Sequence, residues 1–150
     1  MVSVVGTVTG VPTGTAGWHI HEGYSCNGNV PNAPTSTATS TQFANSATGI
    51  HYGQVLGDPN DPWANTMYTA DMYGVAQISL LNFSGFTLYE SMPVVGRTIV
   101  IHSPTDKIGC GVIGSPNQGL AIMTNYPGTA STVKGALRVT EDPVTGSVTI

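Results

Sequence analysis

Four histidines, His19, His21, His51 and His102, are the residues of this 150-residue chain best suited to chemistry. His19 and His21 stand in Gly17-Trp18-His19-Ile20-His21-Glu22, a strand-like stretch. Side chains alternate along a strand, so both imidazoles leave one face while Trp18 and Ile20 leave the other. Two imidazoles one pleat apart can close on a single metal ion. His102 ends the β-branched run 94–102, and His51 lies between glycines in Gly49-Ile50-His51-Tyr52-Gly53. An all-imidazole set suits copper, zinc, iron or nickel, and a flattened four-nitrogen arrangement favours Cu(II). Residue type alone leaves the ordinary alternative open, in which these are solvated strand or capping histidines.

The elements that must position them are strands. Alternating or continuous β-branched stretches occupy 2–9, 17–21, 75–81, 86–89, 94–102, 135–140 and 144–150. Turn residues separate them at 11–14, 71–74 and 141–143, a rhythm that predicts an all-β sandwich or barrel in a single domain. Two stretches read as long loops: 22–48, with its low-complexity run 35–41, and 57–66. Loops of this length inside a small domain are usually functional or disordered. Trp18 and Trp63 read as packing residues, and Arg97 as a structural strand arginine.

Composition narrows the function. Only 8% of residues are charged, and 4 basic residues stand against 8 acidic ones. Such a chain cannot neutralise a run of phosphates, so nucleic-acid binding is not expected. No apolar run approaches the roughly 18 residues of a membrane span. Cys26 and Cys110 are too far apart for a CxxC motif, leaving one long-range disulfide or two buried thiols. Low charge and the sequon Asn82-Phe83-Ser84 fit an extracellular protein.

Four segments, in order, resemble the Cu/Zn superoxide dismutases. Gly17-Trp18-His19-Ile20-His21-Glu22-Gly23 is similar to that family's copper-binding strand, and Val95 through His102 to its I-G-R-T-[LI]-V-V-H strand. Cys110-Gly111-Val112-Ile113-Gly114 resembles its C-G-V-I-G segment, and Tyr68-Thr69-Ala70-Asp71 with Gly74-Val75-Ala76 its T-A-D-x-x-G-V-A stretch. The resemblance implies a Greek-key β-sandwich or barrel, copper as cofactor and superoxide as substrate. It implies copper ligands at His19, His21 and His102, with His51 in the place of the histidine that bridges copper and zinc. It also implies a disulfide between Cys26 and Cys110.

The departures point to the copper-only branch of that family, including its tandem-repeat members. All four histidines are used by these assignments, and Ala64 stands where the family's zinc aspartate would align, so no zinc is expected. Asp58 and Asp61 remain as hydrogen-bond partners for a distal imidazole nitrogen of His51 or His19. Seven residues separate His102 from Cys110, where the family carries a long electrostatic loop, so a more open copper is expected. Lys107 aligns with the arginine that guides superoxide, keeping the charge without the planar fork.

Residues 134–150 resemble the family's opening hairpin displaced to the C-terminus, as in a circular permutation or a unit cut from a tandem array. The hairpin is expected to fold back beside 2–9; in an array or a swapped dimer it would complete a neighbour. The activity implied is copper-dependent dismutation of superoxide, with His51 supplying a proton and Lys107 local attraction. A net charge of −4 opposes longer-range steering. The alternatives are a non-catalytic extracellular copper-binding module and a structural repeat of the same fold.

Overall fold

The computed structural model describes residues 1–27, 48–54, 59–114 and 119–141. Among these residues run eight strands, β1 (Val2–Thr9), β2 (Gly14–His21), β3 (Met67–Ala70), β4 (Val75–Phe83), β5 (Thr98–His102), β6 (Lys107–Val112), β7 (Leu120–Asn125) and β8 (Lys134–Glu141). They close into an antiparallel barrel in the order β1-β4-β3-β2-β5-β6-β7-β8. β2, β3 and β4 are consecutive neighbours and β1 returns beside β4, a Greek-key arrangement that leaves no edge among the described strands. Among the described residues no helix is long and apolar enough to cross a membrane.

Alternation decides what fills the barrel. Val2, Val4 and Val8 of β1, Trp18 and Ile20 of β2, Ile99 and Ile101 of β5, and Leu137 and Val139 of β8 form the buried core. Each such side chain contributes about 1.5–3 kcal/mol by leaving water. The opposite face of β2 and β5 carries His19, His21, Thr98, Val100 and His102. Cross-strand register confirms the sorting: Trp18 faces Ile101 and Ile20 faces Ile99, while His19 faces Val100 and His21 faces Thr98. The histidines therefore stand outside the barrel, on a wall that the connecting loops cover.

Several expected strands differ. Residues 94–97 form a turn, with the Arg97 N–H donating to the Val94 carbonyl, so β5 begins only at Thr98. In 86–89 only Thr87 makes a bridge, to Pro93, and Phe86 is instead a buried ring. β3, β6 and β7 were not expected as strands on periodicity. β6 is hidden by its glycines: Gly109 and Gly111 face inward where Val133 and Met123 already fill the space. A β-carbon at Gly109 would stand 2.5 Å from Val133.

The expected C-terminal hairpin supplies one described strand. β8 lies along β1 over eight residue pairs, from Val2↔Glu141 to Thr9↔Lys134, and pairs on its other side with β7. Residues 142–150 lie outside the described residues, as do 28–47 with the run 35–41, and Asp58. Cys26 and Cys110 are joined, tying the long segment after β2 to β6 across 84 positions. In the chain-entropy picture a closure of this length contributes about 4 kcal/mol.

Candidate metal centre

His19 and His21 project from β2, His102 from the end of β5, and His51 from the loop that returns beside β2, where it forms an isolated bridge with His21. One potential ligand atom from each ring lies within 4.8 Å of all the others. The rings of His19 and His51 are 3.9 Å apart between centroids, and those of His19 and His102 4.7 Å. All four histidines singled out by the sequence are thus brought together.

Hydrogen bonds fix which nitrogens are free. His21 Nδ1 lies 2.8 Å from the Gly49 carbonyl, which can only accept, so this nitrogen carries the proton. Its Nε2 then presents a lone pair, 3.3 Å from His102 Nε2. His51 Nδ1 lies 2.5 Å from Asp61 Oδ2, so its proton also points away from the cluster and Nε2 is bare. His19 Nδ1 is buried without a hydrogen-bond partner. An unpaired buried polar atom costs about 1–3 kcal/mol, and a bound cation would use that lone pair.

Burial keeps the cluster uncharged. It pushes the pKa of His19 down to about 3, with His51 and His102 adding to the fall. Burial does the same for His102, again to about 3. For His21, burial and then the nearby Lys107 hold it well below the ordinary imidazole value. His51 is lowered by burial too, although Asp61 opposes the shift. Neutral imidazoles are the ligating form, so at pH 7 four nitrogen donors are ready for a borderline cation such as copper or zinc.

The supports are specific. Asp61 is held by its own turn, since Oδ1 accepts the Trp63 backbone N–H at 2.9 Å. Trp63 is fully buried, donates Nε1 to the Tyr52 carbonyl at 2.7 Å, and packs against Phe83 and Phe86. One indole thus anchors both the loop carrying Asp61 and the residue after His51. Gly17 is required because a β-carbon there would lie 2.7 Å from Cε1 of His19. Gly49 adopts φ +67°, and a side chain there would meet Glu22.

Lys107 reaches this wall through a bulge in β6. Ile101 pairs with Gly109, but His102 pairs with Lys107, so Ile108 is the extra residue. The slip turns Ile108 into the core and sets Lys107 beside His102. The lysine is 4% exposed, and Nζ donates to Thr48 Oγ1 at 2.7 Å and to the Gly49 carbonyl at 3.2 Å. Burial lowers its pKa to about 8. Arg97 donates Nη1 to the Glu22 carbonyl and lies between the rings of Tyr24 and Tyr52. The part is structural, as expected, but Arg97 lies in the turn before β5 and not on a strand.

The copper/zinc superoxide dismutase family model matches residues 1–123. The chain belongs to this family. Superoxide dismutation is the activity that membership suggests, and the four-histidine cluster supplies residues able to hold the metal it requires. The match takes in all four histidines, both cysteines, Asp61 and Lys107, and it stops inside β7. Sequence reasoning alone singles out the four histidines that gather in this dismutase-family chain. It missed Gly49, whose contribution is a backbone oxygen, and Thr48, whose hydroxyl receives Lys107. Only the glycines flanking His51 hinted that this turn was special.

Proposed function

We propose that this chain is a copper-only superoxide dismutase in which His19, His21, His51 and His102 hold the metal. The observation that carries the reading is Asp61 at His51 Nδ1, the side of the ring that faces zinc in two-metal members of the family. A carboxylate orients the imidazole from there without a second cation. Copper, when bound, supplies the alternating one-electron acceptance and donation that converts superoxide to dioxygen and hydrogen peroxide.

The protein's own groups do the rest. His51, with Nδ1 tied to Asp61, can hold a proton at Nε2 and release it toward a reduced oxygen species. Lys107 contributes a positive charge beside His102 that favours an approaching anion, which a chain of net charge −4 cannot attract at long range. Extracellular residence is supported by the disulfide. Residues 134–150 are read as the family's opening hairpin, permuted; this reading is supported by β8, which lies beside β1 within one chain.

Metal content after exposure to equimolar copper and zinc tests the copper-only assignment. One copper and no zinc per chain is expected. Stoichiometric zinc alongside copper, at a site lost in Asp61→Ala, would contradict it.

A further inference from the structure

Tyr68 sits in the middle of β3, two strands away from β5, yet its hydroxyl donates to the His102 carbonyl at 2.6 Å. The ring is 2% exposed and belongs to the core. Its cross-strand partner on β2 is Ala16, small enough to let the phenol pass toward β5. A buried tyrosine hydroxyl needs a partner, and here that partner is the backbone of a candidate metal ligand.

The place where this bond lands is otherwise weakly held. The β2–β5 ladder ends at Trp18↔Ile101, one residue before His102. On the other side, the β5–β6 ladder slips at this point through the bulge. β3 in turn meets β4 only at Ala70↔Ala76, and an open groove of about 580 Å³, bordered by Met67, Thr69, Gln77 and Ser79, lies beside it. The phenol therefore links β3, which meets β4 at a single residue pair, to the histidine at the end of β5, where one ladder stops and the other slips. Burial raises the Tyr68 pKa and keeps the hydroxyl a donor.

We infer that Tyr68 is a positioning residue for the metal centre: its hydroxyl fixes the His102 carbonyl and thereby the angle at which the His102 ring enters the four-histidine cluster. The inference rests on reading that cluster as the copper site, and it adds a residue on β3 that holds no metal and touches no substrate. Removing the hydroxyl leaves the core volume intact but lets the end of β5 turn. His102 then moves relative to His21, while His19 and His21 stay fixed by β2.

The test is Tyr68→Phe in the full chain, read first without metal. Imidazole NMR signals of His102 should shift in the metal-free variant while those of His19 hold. Copper retention should then weaken about tenfold, the loss of one hydrogen bond's worth of positioning, and the Cu(II) EPR hyperfine splitting should change. Unmoved His102 signals with unchanged EPR and copper retention would overturn the inference. If the variant does not fold, incorporation of 3-fluorotyrosine at position 68 keeps ring and hydroxyl but strengthens the donor. It should shift His102 alone, and silence there overturns the inference equally. Wild-type protein that takes up no copper would instead defeat the functional reading, leaving the metal-free NMR result to decide on Tyr68.

Discussion

His21 and Lys107 converge on one backbone oxygen. The Gly49 carbonyl accepts His21 Nδ1 at 2.8 Å and Lys107 Nζ at 3.2 Å, so a metal-capable imidazole and a buried cation are oriented by the same turn. That oxygen is available because Gly49 occupies a left-handed conformation between Thr48 and the bridge at His51. The ammonium and the imidazole N–H share the two lone pairs of that oxygen, and the nearby positive charge helps to keep His21 neutral.

Charge at Lys107 should govern the pH profile of dismutation. With a pKa near 8, the side chain is protonated below that value and loses its attraction for an anion above it. The copper-loaded protein should slow severalfold between pH 7 and 10. Lys107→Arg, charged throughout, should stay flat over the same range. Lys107→Met should be slow and insensitive to salt at every pH while retaining copper. A wild-type rate independent of pH through 10 would remove Lys107 from the mechanism.

Metal-free protein should lose stability in acid for a defined reason. His19 and His102 carry folded pKa values of about 3 against 6.5 when exposed. The unfolded chain therefore binds protons first as pH falls, and stability present above about 6.5 is lost progressively toward 3. Each histidine contributes about 1.4 kcal/mol per pH unit inside that window. Thermal unfolding of chelated protein from pH 7.5 to 4.5 should show a falling midpoint with net proton uptake. An unchanged midpoint would mean that these rings are not buried neutral.

Asp61→Asn tests the carboxylate behind His51. The amide has one acceptor oxygen where the carboxylate serves two donors, so it keeps either the His51 Nδ1 or the Trp63 backbone bond and loses the charge that makes the 2.5 Å contact strong. Turnover is expected to fall about tenfold, and stability by about 1 kcal/mol. Trp63, anchored independently through Nε1 to the Tyr52 carbonyl, should stay buried, which near-ultraviolet circular dichroism would report. Full activity in this variant would show that His51 needs no charged partner.

Gly17→Ala should damage the site without damaging the barrel. The added methyl would stand 2.7 Å from Cε1 and 2.9 Å from Nε2 of His19, forcing that ring to turn. Copper affinity should fall at least tenfold, more than 1.4 kcal/mol, while the unfolding midpoint of the metal-free protein moves little. Unaltered copper binding would show that the wall accommodates a shifted His19.

Much of this centre was legible because strand alternation has a period of two. His19 and His21 had to share a face once β2 was recognised, and Trp18 and Ile20 had to be core. His102 was visible as the end of a β-branched run, although β5 proved shorter because the chain turns at 94–97. β6 escaped notice because Gly109 and Gly111 replace the bulky residues that usually announce a strand. Its bulge at Ile108, which brings Lys107 to the metal wall, follows from ladder register and has no one-dimensional signature. The same holds for Gly49, acting through its carbonyl, and for Tyr68, acting across β2. Of the hairpin expected over 134–150, β8 accounts for 134–141 and the remainder lies outside the described residues, while β7 went unannounced because Leu120–Asn125 carries few β-branched residues.

The central claim is copper-dependent dismutation at the four-histidine cluster. The most direct measurement is the superoxide dismutation rate of chelator-washed protein reloaded with one copper per chain, beside His19→Ala treated identically. A rate approaching the diffusional ceiling of about 10⁹ M⁻¹s⁻¹ in the wild type, with loss of both copper and rate in the variant, is the predicted result. Stoichiometric copper in the wild type with a rate no better than free copper in buffer would contradict the account and leave a metal-binding module on a dismutase barrel.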